Sequence, residues 1–439
     1  MSDEEIQTMS RPPVARTRGD QPLSPSAHVT PTWLGPVLLV GIVLAALNLR
    51  PAITSLGALF EETRTGLGMS GTVAGLITSV PALCFAVFGV TAPRLSRRFG
   101  PAAVVCAGMA AVATGLLIRP FAGNAAAFLA ASALCLAGIA VTNVLLPVIV
   151  KRYFPDRVGT MTGLYSMALA VGTSLAAAAT VPLTTALGGS WRTGLLIWAV
   201  LAAVAVLPWL PIARASRRAE RAAAARDAAA QGPVTGPART DTGPNVVRSR
   251  TSWALACYFG LQATGAYITM GWLPQIFRDA GVSASTSGVL LALTMVMGVP
   301  LAFVIPGLAG RMKNQGAIAA TLGLFGLVGY LGLYVAPVAG AWAWALMLGV
   351  SNCAFPLAIT MIGLRAKSPA GVVKLSAFAQ STGYLISIPG PLLIGTLYQH
   401  SGGWDLPLAL MAGLLVPQIA LGVLAGRDRT IEDECGVRD

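Results

Sequence analysis

Twelve runs of about twenty apolar residues punctuate this chain, and that recurrence confines it to one solvent, the lipid bilayer. The runs fall at approximately 33–60, 72–93, 101–118, 125–150, 160–187 and 193–212, then 251–277, 284–309, 316–336, 341–364, 375–398 and 405–426. A helix of this length crosses the hydrocarbon core with its backbone hydrogen bonds made internally, the condition that lipid imposes. An all-α membrane protein with 12 transmembrane helices is therefore expected. Among the 439 residues, 55% are apolar and only 11% charged, outside the range of soluble domains.

The remaining segments are polar. Residues 1–32, rich in Pro, Ser and Arg, have no apolar core of the signal-peptide type and read as a disordered cytoplasmic tail. Residues 213–250 form a central cytoplasmic loop, Ala- and Arg-rich in its first half and linker-like in its second. Residues 427–439 make a second cytoplasmic tail. Two six-helix halves, 33–212 and 251–426, are left.

A formal charge of +13 invites a nucleic-acid reading, but the placement of the charge argues against it. With both termini in the cytoplasm, the tails and even-numbered loops hold 25 of the 30 Lys and Arg residues. The opposite side holds four, Arg64, Arg119, Arg192 and Arg278. This is the positive-inside distribution of a multi-pass protein of the cytoplasmic (bacterial inner) membrane. The expected partners are lipid and a small molecule, not nucleic acid, with the chain working as a monomer. Six cysteines, five of them in separate spans, show no disulfide or metal spacing, and no cofactor motif or enzyme constellation occurs.

The halves repeat one another. A shift of 217 positions lays residues 56–76 on 273–293, matching Leu56/Leu273, Phe60/Phe277, Ser70/Ser287, Gly71/Gly288 and Leu76/Leu293. Asn143-x-x-x-Pro147 in span four is echoed by Asn352-x-x-x-Pro356 in span ten. Parallel six-helix repeats with a midplane site between them are a transporter plan.

Within span one, Leu47-Asn48-Leu49-Arg50-Pro51 places what reads as the sole charge deep in a hydrophobic run. Such a charge costs roughly 2.5–3.5 kcal/mol and normally faces a cavity and a partner. Pro51 lacks an N–H and crowds the Leu47 carbonyl, so the helix is expected to loosen beside the cation. Arg50 can offer its planar fork to an oxygen pair, with Thr54 one turn on and Asn48 nearby; the competing reading is a structural Arg bonded to neighbouring carbonyls. The shift makes Tyr267 the counterpart of Arg50, with Gln262 earlier on the same span. Asn143, Asn352, Tyr165, Gln380 and Tyr384 are further polar groups at cavity depth, each open to a purely structural role. Trp272 reads as an interfacial belt residue. All seventeen carboxylates lie in tails, loops or span ends, so no side-chain proton carrier is expected in the path.

Twelve spans, a long central loop and a basic loop after span two resemble the major facilitator superfamily. Leu47-Asn48-Leu49-Arg50-Pro51 with Thr54-Ser55, and the stretch from Gly138 through Asn143, Leu146-Pro147, Val150-Lys151-Arg152 and Phe154 to Met161-Thr162-Gly163-Leu164-Tyr165-Ser166, resemble its cyanate permease and 2-nitroimidazole transporter family (CynX/NimT type). That resemblance implies the major facilitator fold and the transport of small anions or nitro-substituted rings. It also implies a cytoplasmic gate in the loop after span two. Here Arg94, Arg97 and Arg98 are kept while Pro93 replaces the usual Asp, leaving Asp156 in the next cytoplasmic loop as the nearest acid. The expected activity is secondary transport of a small anion or compact polar compound; multidrug efflux and a ligand-binding membrane sensor are the alternatives.

Overall fold

The computed structural model describes residues 34–218 and 245–435. The tail over 1–32 and most of the central loop lie outside the described residues. Among the described residues, twelve helical spans appear in the expected order. Ten are long and apolar enough to cross a membrane unaided. The other two are span seven, Arg250–Asp279, and span eleven, Pro369–Ser387 continued by Pro389–Ser401. Both carry polar side chains through their middles, among them Gln262, Thr264, Tyr267 and Thr269 in one and Ser376, Gln380 and Tyr384 in the other. A helix can carry that polarity across lipid only when neighbours or a cavity receive it.

The loosening expected at Pro51 is present. Span one is two helices, Leu34–Asn48 and Pro51–Ala58, with Leu49 and Arg50 in the break and Pro51 at the first helical position. Span ten breaks similarly, Ala341–Ser351 giving way to Ala354–Leu364 at Asn352-Cys353. Its counterpart, span four, runs unbroken over Ala125–Tyr153 through Pro147.

The halves meet along seams where small residues let backbones approach. In span two, Gly71–Phe99, a Cβ added at Gly71 would stand 2.8 Å from the Gly395 carbonyl oxygen of span eleven, and one at Gly75 2.9 Å from that of Leu392. The symmetry-related Gly288 of span eight sits against the Ala177 carbonyl of span five. The 217-residue repeat thus recurs as matched contacts, span two on eleven and span eight on five.

Polar contacts between the halves gather at the end away from the tails. Arg278 donates to both Glu62 oxygens at 2.8 Å, and the Thr72 N–H donates to Gln399 at 3.0 Å. Trp272, expected in an interfacial belt, is instead 1% exposed. It packs edge-on against Phe60 at 4.6 Å and donates to the Thr78 hydroxyl at 3.3 Å, plugging the seam between spans one, two and seven. The far end is closed.

At the tail end a short helix, Ile431–Cys435, clamps the starts of the two polar spans. Glu434 accepts from the Ser249 and Thr251 hydroxyls and the Thr251 N–H, while Glu432 accepts from the N–H groups of Lys367 and Ser368. Burial pushes both carboxyls up, but these donors outweigh it and hold them below their ordinary values. The clamp therefore contributes fully above the unfolded glutamate value of about 4.3 and weakens as pH falls through the depressed folded values. Hydrogen exchange corrected for intrinsic rates should show the amides of Thr251, Lys367 and Ser368 losing protection together below that pH. In Glu434→Gln, protection should fall at Thr251 alone.

Candidate functional site

Arg50 sits at the break in span one, half-buried, facing rings contributed by both halves. Its guanidinium carbon lies 5.9 Å from the Phe85 ring centroid. Tyr267, on span seven, interacts with Arg50 and with Tyr384 of span eleven. Phe85 stacks on Tyr384 at 4.9 Å and 22°, and Phe259 meets Tyr384 edge-on at 5.1 Å. Tyr267, the counterpart of Arg50 under the 217-residue shift, is thus one of the side chains beside it. Among the described residues no carboxylate pairs with Arg50 and no carbonyl accepts from its guanidinium. A cation walled by π-faces, hydrogen-bonded to the Tyr267 hydroxyl but with no carboxylate to balance its charge, is suited to a planar group carrying negative oxygens.

Beyond Tyr267, towards the closed end, lies a cavity lined by Ala52, Gly57, Thr78, Arg119, Ser132 and Tyr267 among others. Charge placement along the chain puts Arg119 in an outer loop and makes Arg50 the only deeply buried charge. Both readings need correction: Arg119 is 1% exposed, since the single 3-10 turn after span three folds it back between helices. One terminal nitrogen donates to the Ala52 carbonyl at 2.9 Å, and the guanidinium lies 5.6 Å from the Phe128 ring centroid. Among the described residues its Nε and Nη2 have no hydrogen-bond partner, nor does the buried Ser132 Oγ. The Arg119-Pro120 dipeptide repeats Arg50-Pro51, a signal masked by its position at the end of an apolar run.

The remaining candidates divide. Thr54 is fully buried with its hydroxyl on the Arg50 carbonyl at 3.3 Å. Asn48 turns towards span six, donating to the Leu44 carbonyl at 2.8 Å and that of Leu201 at 3.4 Å. Both therefore serve the frame around Arg50 in this conformation, each bonding the carbonyl four residues before it, a partner that helical geometry keeps within reach. Gln262 and Asn352 line a separate polar cavity within the second half, with Thr269, Tyr330 and Gln418. Gln380 is tied to the Ser376 hydroxyl at 2.7 Å. Asn143 and Tyr165 are half-buried on spans four and five. Arg94, Arg97, Arg98 and Asp156 are exposed at the tail end, and among the described residues no ion pair joins them. Phe85, whose ring lies under the Arg50 guanidinium, carries no signal in the sequence beyond being apolar.

Residues 38–388 match the family profile described as Major Facilitator Superfamily. The chain is 33% identical over 397 residues to the 2-nitroimidazole transporter of Escherichia coli (strain K12), covering 90% of this chain and 96% of that protein. It is 30% identical over 385 residues to the cyanate transport protein CynX of the same organism, covering 86% and 95%. Among solved structures, a D-xylose-proton symporter superposes with a TM-score of 0.66 at 11% identity, covering 90% of this chain and 96% of the other, a likeness of fold alone.

Proposed function

The chain belongs to the major facilitator superfamily, to its cyanate and 2-nitroimidazole transporter type, and from that premise we propose that it carries a small anion or compact planar nitro compound by alternating access, with Arg50 as the anchor. That it is a multi-pass membrane protein transporting small molecules follows from the family; the cargo rests on the site. The observation that carries the proposal is the guanidinium of Arg50, without a carboxylate partner among the described residues, beside Phe85, Tyr267 and Tyr384. A planar ligand can stack on the rings while its oxygens meet the fork, contacts drawn from both halves. The halves can then rock about the site.

With polar contacts between the halves gathered at the far end, the tail side is the route that this reading leaves to the half-buried Arg50. The charge bias favours the cytoplasm of the inner membrane for that end, and on this reading the chain would be a monomeric carrier in an inward-facing arrangement. Among the described residues no carboxylate pairs with Arg50, which favours an anionic cargo over a cationic drug exchanged for protons. Tyr165, Asn143 and Gln380 would then line the path between Arg50 and the cytoplasm, and Arg94, Arg97, Arg98 and Asp156 would approach one another only when the inner end closes.

Purified protein screened by thermal shift against small carboxylates, pseudohalides and nitro-heterocycles tests this. A ligand bound to the folded state alone, at a hundred times its Kd, adds about 2.7 kcal/mol of stability. The expected result is a saturable rise in Tm for at least one class, absent in Arg50→Ala. No shift with any class, or equal shifts in both proteins, would sink the proposal.

A further inference from the structure

We infer that Arg119 and Ser132 form a second anion site, for a monovalent ion of about halide size, on the far side of Tyr267 from Arg50. The argument begins with charge. A guanidinium taken fully out of water needs a counter-charge, or its desolvation cost of several kcal/mol stands uncompensated. Among the described residues Arg119 has no carboxylate partner. One carbonyl and one ring face meet it, and both contacts leave its positive charge unbalanced.

Its free donors point to where the missing charge belongs. Nε and Nη2 of Arg119 and Oγ of Ser132 are all buried and unpartnered, and both residues line the same cavity. Three N–H or O–H donors around one small space are the recognition chemistry of an anion. The volume open to the centre of a water-sized sphere is about 20 Å³, enough for one or two such groups but not for an aromatic ring. The rest of the lining is largely apolar, with Ile53, Leu56, Phe60, Ile77 and Leu136, which favours a weakly hydrated anion over a strongly hydrated one.

Position gives the site a consequence. Arg119 and Ser132 belong to the first half, whereas Tyr267 and Gly271 close the cavity from the second. The enclosing wall exists only while the far end is shut. An anion held there binds this conformation better than one in which the halves part at that end, and shifts the population towards it. The site is independent of what Arg50 carries, although the two share Tyr267.

Sodium bromide, compared with sodium gluconate at equal ionic strength, is the probe for the full-length protein. Bromide should raise the Tm of wild type and of Arg50→Gln alike, with at least tenfold higher concentrations needed in Arg119→Gln and severalfold higher in Ser132→Ala. Crystals grown with bromide should give an anomalous peak within hydrogen-bond distance of Arg119 Nη2 and Ser132 Oγ. If Arg119→Gln does not fold, Ser132→Ala and the anomalous peak decide. No bromide-dependent shift in wild type overturns the inference. So does a shift lost in Arg50→Gln but kept in Arg119→Gln, a result that would leave the Arg50 reading standing.

Discussion

Replacing Arg50 with lysine is expected to lower cargo affinity by about 10- to 100-fold while leaving the protein folded and monodisperse. Lysine keeps the charge, so long-range attraction survives; what goes is the planar fork that can present two parallel N–H groups. One charge-assisted hydrogen bond contributes about 1.5–3 kcal/mol, and 1.4 kcal/mol is a factor of ten. Arg50→Ala should cost more, both bonds and the charge, and reduce transport by at least 100-fold. Binding measured by isothermal titration and uptake into proteoliposomes would separate affinity from turnover. A structural Arg50 gives the opposite pattern, with loss of folded protein in both variants. Arg50 has no carbonyl or carboxylate partner among the described residues, and the Tyr267 hydroxyl it meets also interacts with Tyr384, so the fold should hold without it.

Gly57→Leu is the second large effect expected. A Cβ at position 57 would overlap the Met270 carbonyl of span seven, a backbone atom that cannot swing aside. The clash lies between the halves rather than within either, so each six-helix bundle keeps its own packing while the far end is prevented from closing. Transport should fall by more than tenfold in a protein of near-normal yield. Spin labels at Thr185 and Ser285, exposed at the far end on spans five and eight, would report the cause as a longer distance by double electron–electron resonance. Unchanged distances with lost transport would place the damage elsewhere. The comparison also bears on Arg119, whose cavity Gly57 lines, because a far end held open should abolish the bromide response.

Residues set the membrane, the twelve crossings, the repeat and the break at Arg50 without help from tertiary structure. Each of those depends on a property carried along the chain: run length against bilayer thickness, like-for-like spacing, and a proline that cannot donate. Tertiary structure alone decided which polar groups face inward. Asn48 and Thr54 lie within a turn of Arg50 yet turn to the frame, because each side chain bonds the carbonyl four residues before it. Spans seven and eleven gather the polar side chains because lipid tolerates such groups only where something receives them, and the packing supplies the receivers. Trp272 left its expected belt for the seam, because a ring at a span end goes to lipid or to a partner helix according to what stands beside it. Arg119 is the strongest instance. At the end of an apolar run its sequence position reads as solvent, and only the 3-10 turn at that point folds it inward beside Ser132, thirteen residues on. Burial of a single side chain depends on which helices pack around it, and no local pattern encodes that.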